Sequence, residues 1–433
     1  MGMKNHQSRQ QDQVLEKNPR KKNYLKLFFK ALGPGLVTGA ADDDPSGIAT
    51  YSIAGAQLGT TLLWMSWFTW PLMASVQMMC ARIGLVSGGG LAYALKAKLP
   101  LSLMKAVCVA LFAANAINIA ADLAGMADAC GLLIGLNDFY FIILFGLGIV
   151  WTMVRFQYAQ ISGLLKWLTI TLSAYIITAF VVRPDWSHVA TQTFTIKLPN
   201  NRKVLETIVA LLGTTISPYL FFWQASQEIE EKKMEKRQHS QKPPAVKLRE
   251  MVVDTFAGSF LSNTGMFFII LTTALTLNRH GITEITTSRQ VAQALVPLAG
   301  RFASLVYTVG IVTLGMLAIP TLAGSAAYAF AEVFNFPQGL NRKVGSAKIF
   351  YRVIFFCILG GIAIDLLRIN PVRAMFWSAI INGLLAPFLL AFTLLVARDS
   401  KIMKGKPSPP AGQWMVFITT IVMFLAAIGM FVV

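Results

Sequence analysis

Apolar segments of roughly 20 residues, the length at which an α-helix crosses a lipid bilayer, recur along almost the whole chain. Short polar or basic stretches separate them. The pattern predicts eleven membrane-spanning helices, with approximate bounds 31–58, 61–86, 102–134, 137–154, 160–182, 204–227, 251–277, 303–331, 349–367, 371–396 and 413–433. We therefore expect an all-α polytopic membrane protein whose surroundings are the lipid bilayer.

Proline interrupts two of these spans beside small or polar residues. The first span contains Pro45 directly after three aspartates, and the sixth contains Pro218 after Ser217. The two prolines are five spans apart, and an odd number of spans reverses the direction in which a unit enters the membrane. The spacing thus predicts two inverted repeats, each opened by a discontinuous helix, an arrangement typical of transporters with a site near mid-membrane.

This arrangement predicts how the chain is divided. We expect, in order, a basic cytoplasmic tail, a first five-helix repeat, an extracytoplasmic loop, a second five-helix repeat and an additional eleventh helix, at residues 1–30, 31–182, 183–203, 204–396 and 413–433.

Composition and charge agree with a membrane protein. Of the 433 residues, 55% are hydrophobic and 13% are charged, against about 25% charged in a typical soluble domain. On a soluble protein, a net charge of +18 would suggest that the protein binds nucleic acid. Here, however, 29 of the 38 Lys and Arg residues lie in segments on one side, and nine on the other. By the positive-inside rule we expect a bacterial inner (plasma) membrane protein with its N-terminus in the cytoplasm and its C-terminus outside, and no nucleic-acid partner.

Motifs of enzymes and of resident cofactors are missing from the sequence. We find no P-loop, no GxSxG and no HExxH motif, and the four cysteines show no CxxC spacing. We expect no enzymatic activity and no cofactor.

The three consecutive aspartates of the first interruption are the main candidates for chemistry. A carboxylate at mid-membrane costs at least about 2.5 kcal/mol on insertion scales, so Asp42, Asp43 and Asp44 need a partner. Pro45 disfavours helix at Asp44, and a broken helix leaves carbonyls free to bind a cation. The alternative is that Asp44 caps amides near Gly47, which explains one aspartate only. We interpret the interruption as a cation site.

The sixth span supplies the matching candidates. Thr214 lies one turn before Ser217, so both can face the same cavity, although a kink satisfied by neighbouring hydroxyls is the alternative. The predicted metal ligands are Asp44, Thr214, Ser217, Asp43, Gly47 and Asn382. The alternative for Asn382 is interhelical contact, which a lone Asn in a membrane helix provides more often than it binds an ion.

Other polar residues suggest an ion pathway. Asp122 extends a polar stripe with Asn115 and Asn118 in the third span, and Gln224 and Glu228 close the sixth span on the inner side. With Asp42, the residues assigned to this pathway are Asp122, Gln224 and Glu228.

The segment from Gly33-Pro34-Gly35-Leu36 through Asp44-Pro45-Ser46-Gly47-Ile48-Ala49-Thr50 resembles the first span of the Nramp family of divalent-metal transporters, which have a LeuT-like fold. The resemblance covers essentially the whole membrane region. It implies that Asp44 is a metal ligand and that Thr214 contributes a backbone-carbonyl ligand.

The chain departs from three motifs of that family. Asp-Pro-Gly-Asn of the family reads Asp44-Pro45-Ser46-Gly47 here, without the Asn ligand. Met-Pro-His reads Ser217-Pro218-Tyr219, and Asp-Leu-Ala-Glu reads Asp122-Leu123-Ala124-Gly125. A thioether, an imidazole and an acid linked to proton movement are therefore replaced.

These departures favour a hard ion, because soft sulfur selects transition metals and Mg²⁺ prefers oxygen ligands and retained water. The sequence resembles the divergent magnesium-transporting branch of the family. We expect a carrier of Mg²⁺ or Mn²⁺ that works by alternating access with weak proton coupling. The alternatives are a proton-coupled Mn/Fe symporter of the same family, a LeuT-fold symporter for an organic solute, and an intramembrane aspartyl enzyme using Asp44 and Asp122.

Overall fold

The computed structural model describes residues 34–155, 172–199, 201–237 and 243–432, and within these ranges the chain forms helices and no strand. We number the α-helices in chain order. They are α1 Pro34–Asp42, α2 Pro45–Leu58, α3 Leu63–Ser87, α4 Leu91–Lys96, α5 Leu101–Ile134, α6 Asp138–Arg155, α7 Ser173–Val181, α8 Trp186–Phe194, α9 Arg202–Thr215, α10 Pro218–Arg237, α11 Pro244–Thr276, α12 Ser288–Gln293, α13 Val296–Ala299, α14 Ala303–Phe334, α15 Lys348–Asp365, α16 Pro371–Arg398 and α17 Pro410–Val432.

Seven helical segments of the described chain are long and apolar enough to cross a membrane. They are Leu101–Ile134, Asp138–Arg155, Arg202–Lys236, Val246–His280, Val296–Phe334, Pro371–Arg398 and Pro410–Val432. The first predicted span is divided into two short helices. Much of the fifth predicted span lies outside the described residues, and α7 is the part of it that the structure describes. The multi-pass, all-helical architecture is confirmed, and the number eleven stays a prediction.

Both predicted interruptions are present as breaks between helices. The first separates α1 from α2 at Asp43 and Asp44, and the second separates α9 from α10 at Ile216 and Ser217. Each break is followed by a proline at the first position of the next helix. Proline suits this position because the first amide of a helix has no intrahelical acceptor.

Glycines let the helices around the breaks approach closely. A Cβ atom at Gly35 of α1 would lie 2.6 Å from the backbone nitrogen of Thr255 in α11, and one at Gly213 of α9 would meet the carbonyl of Ala379 in α16. Without a side chain, the backbones touch directly, as is common where membrane helices pack. The two broken helices are thereby held against α11 and α16.

Candidate metal site at the two helix breaks

Asp44 stands at the start of α2 and caps it. Its backbone is extended, with φ −68° and ψ 171°, which fits the residue before a proline. Its Oδ1 accepts a hydrogen bond from the amide of Gly47 at 2.6 Å. A Cβ at Gly47 would lie 3.3 Å from that same oxygen, so the glycine leaves room for the carboxylate. The capping role considered as an alternative is therefore present, and it occupies one oxygen of Asp44.

The second oxygen of Asp44 belongs to a cluster shared with α5. Asn118 donates from Nδ2 to Asp44 Oδ2 at 3.0 Å and to Asp122 Oδ2 at 3.1 Å. Asp122 Oδ1 accepts from the backbone nitrogen of Ser46 at 3.2 Å and from its hydroxyl at 2.7 Å. The break thus brings together two carboxylates from different spans, both buried.

Helix α16 closes this cluster from one side. Asn382 donates from Nδ2 to Asn118 Oδ1 at 3.0 Å, and the hydroxyl of Ser378 donates to that of Ser46 at 3.2 Å. Asn382, a predicted ligand, is therefore linked to Asp44 through Asn118 and makes no direct hydrogen bond to it.

At the second break the hydroxyls bond to their own helix. Ser217 donates to the carbonyls of Gly213 at 2.7 Å and Thr214 at 2.6 Å, and Thr214 donates to the carbonyl of Leu211 at 3.0 Å. Their protons satisfy carbonyls that the break leaves free, as the kink alternative requires. The hydroxyl oxygens keep lone pairs with which they can bind a cation.

Tyr219 connects the two breaks. Its hydroxyl donates to the carbonyl of Ala41 at the end of α1 at 2.9 Å, and the residue is 1% exposed. The side chain from the start of α10 therefore occupies a carbonyl that a cation at the first break would otherwise meet.

Asp42 and Asp43 contact a different helix from Asp44. The hydroxyl of Ser262 in α11 lies 2.6 Å from Asp42 Oδ2 and 3.3 Å from Asp43 Oδ1. The three consecutive aspartates are thus divided between two groups of partners, with Asp44 beside α5 and the other two beside α11.

Gln224 and Glu228 lie near the middle of α10. Thr38 of α1 donates to Gln224 Oε1 at 2.5 Å, and Gln224 donates from Nε2 to Glu228 Oε1 at 3.0 Å. Asp254 of α11 accepts from the amide of Gly35 at 2.6 Å. These buried polar residues line the contacts of α1 with α10 and α11, which is where a path from the site along α1 would run.

Sequence reasoning missed several of these residues. Ser262, Ser378 and Asp254 are polar residues inside predicted spans, and polarity within a span is the signal that would have marked them. Their spans were recognised, but the direction in which each side chain points was not available from spacing alone.

The groups around Asp44 and Asp122 offer hard donors. They are carboxylate, hydroxyl and amide oxygens, with backbone carbonyls at both breaks. Within the described ranges, no three His, Cys, Asp or Glu residues are grouped closely enough to hold a metal by themselves. None of the ion pairs found there involves Asp42, Asp43, Asp44 or Asp122. An ion bound here would therefore use few carboxylates together with neutral oxygens and water.

Paired helix breaks around buried carboxylates define a polytopic transporter with discontinuous helices. The fold agrees with that class: the structure of the Eremococcus coleocola manganese transporter with an aromatic bis-isothiourea compound superimposes with a TM-score of 0.77, at 17% identity over 95% of this chain and 87% of that one. The inward-facing conformation of Mhp1 gives a TM-score of 0.51, at 12% identity over 92% and 90% of the two chains.

Sequence comparison then identifies the family. The model for natural resistance-associated macrophage protein-like (Nramp) proteins matches residues 35–433, and the chain belongs to this family. Among similar proteins are the divalent metal cation transporters MntH of Caldanaerobacter subterraneus, 24% identical over 93% of this chain and 92% of the relative, and of Yersinia enterocolitica, 28% identical over 88% and 90%. The family consists of transporters, as the resemblance implied, and not of enzymes.

Proposed function

We propose that this protein carries a hard divalent cation, Mg²⁺ or Mn²⁺, across the membrane by alternating access, with Asp44 as its principal protein ligand. The names of its relatives support divalent cations in general, since they are called divalent metal cation or manganese transporters. The burial of Asp44 and Asp122 beside two helix breaks supports these residues as the place where the ion is held.

The observation that carries the choice of ion is the donor chemistry. Ser217 stands where the family motif has methionine, and its oxygen lies beside the carbonyl of Thr214 at the second break. Oxygen donors suit Mg²⁺ and Mn²⁺, whereas sulfur favours softer metals. With few carboxylates available, the ion keeps part of its water, which is the usual behaviour of Mg²⁺.

Weak proton coupling is the second element of the proposal. The family motif has glutamate at the position of Gly125, and a Cβ there would lie 2.7 Å from the sulfur of Met375. The family has histidine at the position of Tyr219, whose hydroxyl is bonded to the Ala41 carbonyl. Glycine and a hydrogen-bonded phenol therefore stand where the family has an acid and an imidazole, the groups suited to proton exchange near neutral pH.

The topology belongs to the same proposal. The bias of basic residues supports a cytoplasmic N-terminus and an outer C-terminus, and the spacing of Pro45 and Pro218 supports two repeats within residues 31–182 and 204–396. Gln224, Glu228 and Asp42 remain candidates for the ion pathway.

Flux measurements on the full-length protein in liposomes test the assignment. We expect Asp44→Asn to abolish uptake of Mg²⁺ and Mn²⁺, because the amide keeps the capping acceptor but removes the charge. The matched control is Asp128→Asn. Asp128 lies in the same helix as Asp122, but its own carboxylate accepts a hydrogen bond from the amide of Ser288 at 3.1 Å. Uptake at the wild-type rate in Asp44→Asn would refute the site, and failure of the control would show that the loss is not specific.

A further inference from the structure

We propose that Asp42 and Asp43, together with Ser262 of α11, form a second site for a hard divalent cation, separate from the Asp44 site. The identity of the ion at this second site rests on the proposed function, but the location of the site depends only on the contacts of these three residues.

The geometry separates the two sites. One hydroxyl, that of Ser262, lies 2.6 Å from Asp42 Oδ2 and 3.3 Å from Asp43 Oδ1. The carboxylate of Asp44 instead meets Gly47 and Asn118. A hydroxyl has a single proton, so Ser262 can donate fully to only one carboxylate at a time. The hydrogen bonding of this pair is therefore incomplete.

One oxygen of the pair has no hydrogen-bond partner. Asp42 is 1% exposed, and its Oδ1 makes no hydrogen bond, although its Oδ2 receives the Ser262 hydroxyl. A buried carboxylate oxygen without a donor is costly, and the penalty is larger for a charged group than for a neutral one. A cation is the partner that would satisfy this oxygen and neutralise both carboxylates together.

The end of helix α1 also favours a cation at this point. Helix α1 ends at Asp42, and the C-terminal end of a helix carries partial negative charge. Gly265 of α11 packs directly against Asp43, because a Cβ there would lie 3.3 Å from Asp43 Oδ2, closer than an ordinary van der Waals contact. A larger residue at position 265 would therefore displace the Asp43 carboxylate.

The donors indicate the class of ion. Two carboxylates and a hydroxyl are hard oxygen ligands, and their two negative charges are balanced by one divalent cation. Three side-chain groups do not complete an octahedral shell, so Mg²⁺ or Mn²⁺ would retain water here.

Binding stoichiometry on the purified full-length protein tests the proposal, with Mn²⁺ as the probe in calorimetric titration. We expect two equivalents in the wild type and one in Asp44→Ala. We also expect one in the double variant Asp42→Asn/Asp43→Asn, which keeps acceptors for Ser262. Gly265→Ala should lose the same equivalent with every carboxylate intact. Its matched control is Gly148→Ala, where an added Cβ meets nothing within 4 Å, and two equivalents should remain.

The outcomes distinguish the two proposals. A single equivalent in the wild type, lost in Asp44→Ala, would overturn the second site and leave the proposed function standing. Two equivalents that persist in both the double variant and Gly265→Ala would also overturn it. Loss of one equivalent in those variants, with Asp44→Ala still binding two, would support the second site and refute Asp44 as a ligand. If the double variant does not fold, Gly265→Ala decides the question.

Discussion

Replacement of Asn118 by leucine gives the sharpest test of how the Asp44 cluster is built. The amide donates to one oxygen each of Asp44 and Asp122 and accepts from Asn382, and all of these residues are buried. Leucine has a similar size but no polar atom. Asn118→Leu therefore leaves three buried groups without this partner.

The cost in the metal-free protein follows from those three groups. Each buried group that loses its partner costs about 1–3 kcal/mol, so we expect the free energy of unfolding to fall by several kcal/mol, on the order of 3–9. A bound cation would take the place of the lost donor at both carboxylates, so much of this cost is absent from the metal-bound state.

Metal affinity should consequently rise. The two lost bonds to carboxylates are worth about 1.5–3 kcal/mol each, whereas loss of orientation of two side chains costs about 0.5–1.5 kcal/mol each. The first effect totals about 3–6 kcal/mol and the second about 1–3 kcal/mol. The difference of roughly 2–3 kcal/mol corresponds to about 30- to 150-fold tighter Mn²⁺ binding. The assay is calorimetric titration, combined with thermal unfolding with and without Mn²⁺.

The matched control is Asn115→Leu, one turn earlier on α5. Asn115 donates to the carbonyl of Leu322 and the hydroxyl of Ser325 in α14, both at 2.8 Å, and is fully buried. It should be destabilised in a comparable way with unchanged Mn²⁺ affinity. Weaker or unchanged Mn²⁺ binding in a folded Asn118→Leu protein would refute the inference that this amide competes with the cation for the two carboxylates.

Three further predictions concern ion selectivity, proton coupling and packing at Gly125. Ser217→Met should raise the ratio of Cd²⁺ to Mg²⁺ binding, and a tenfold rise in this ratio needs only ~1.4 kcal/mol of differential binding free energy. The control Ser217→Ala separates loss of the backbone hydrogen bonds from the gain of sulfur. An unchanged ratio in folded Ser217→Met would show that residue 217 does not face the ion. Because Tyr219 and Gly125 replace proton-exchanging groups, Mn²⁺ influx should not acidify liposomes containing a pH-sensitive dye beyond protein-free controls, and metal-dependent acidification would contradict weak coupling. Gly125→Glu should lower the melting temperature because the new Cβ meets the Met375 sulfur at 2.7 Å, and Met375→Ala in the same chain should restore part of it; no restoration would mean that crowding is not the cause.

The membrane architecture could be predicted from local sequence. Hydrophobic runs predict helices such as Leu101–Ile134, predicted at 102–134, because a bilayer requires every backbone group to be satisfied within its own segment. The breaks at Pro45 and Pro218 were equally predictable, since proline removes a donor and restricts the residue before it. These are short-range effects, and the residues that cause them are adjacent in the chain.

The partners of each aspartate depended on the tertiary structure. Asp44 meets Asn118, 74 residues away, whereas Asp42, two positions earlier, meets Ser262, 220 residues away. At a break the chain leaves the helical repeat, so helical spacing no longer tells which way a side chain points. The sequence by itself determined the spans, their interruptions and the acidic character of the first one. Packing of α5, α11 and α16 around the breaks decided which carboxylates share a partner, because burial in the bilayer forces each polar group toward whichever neighbouring helix offers a donor.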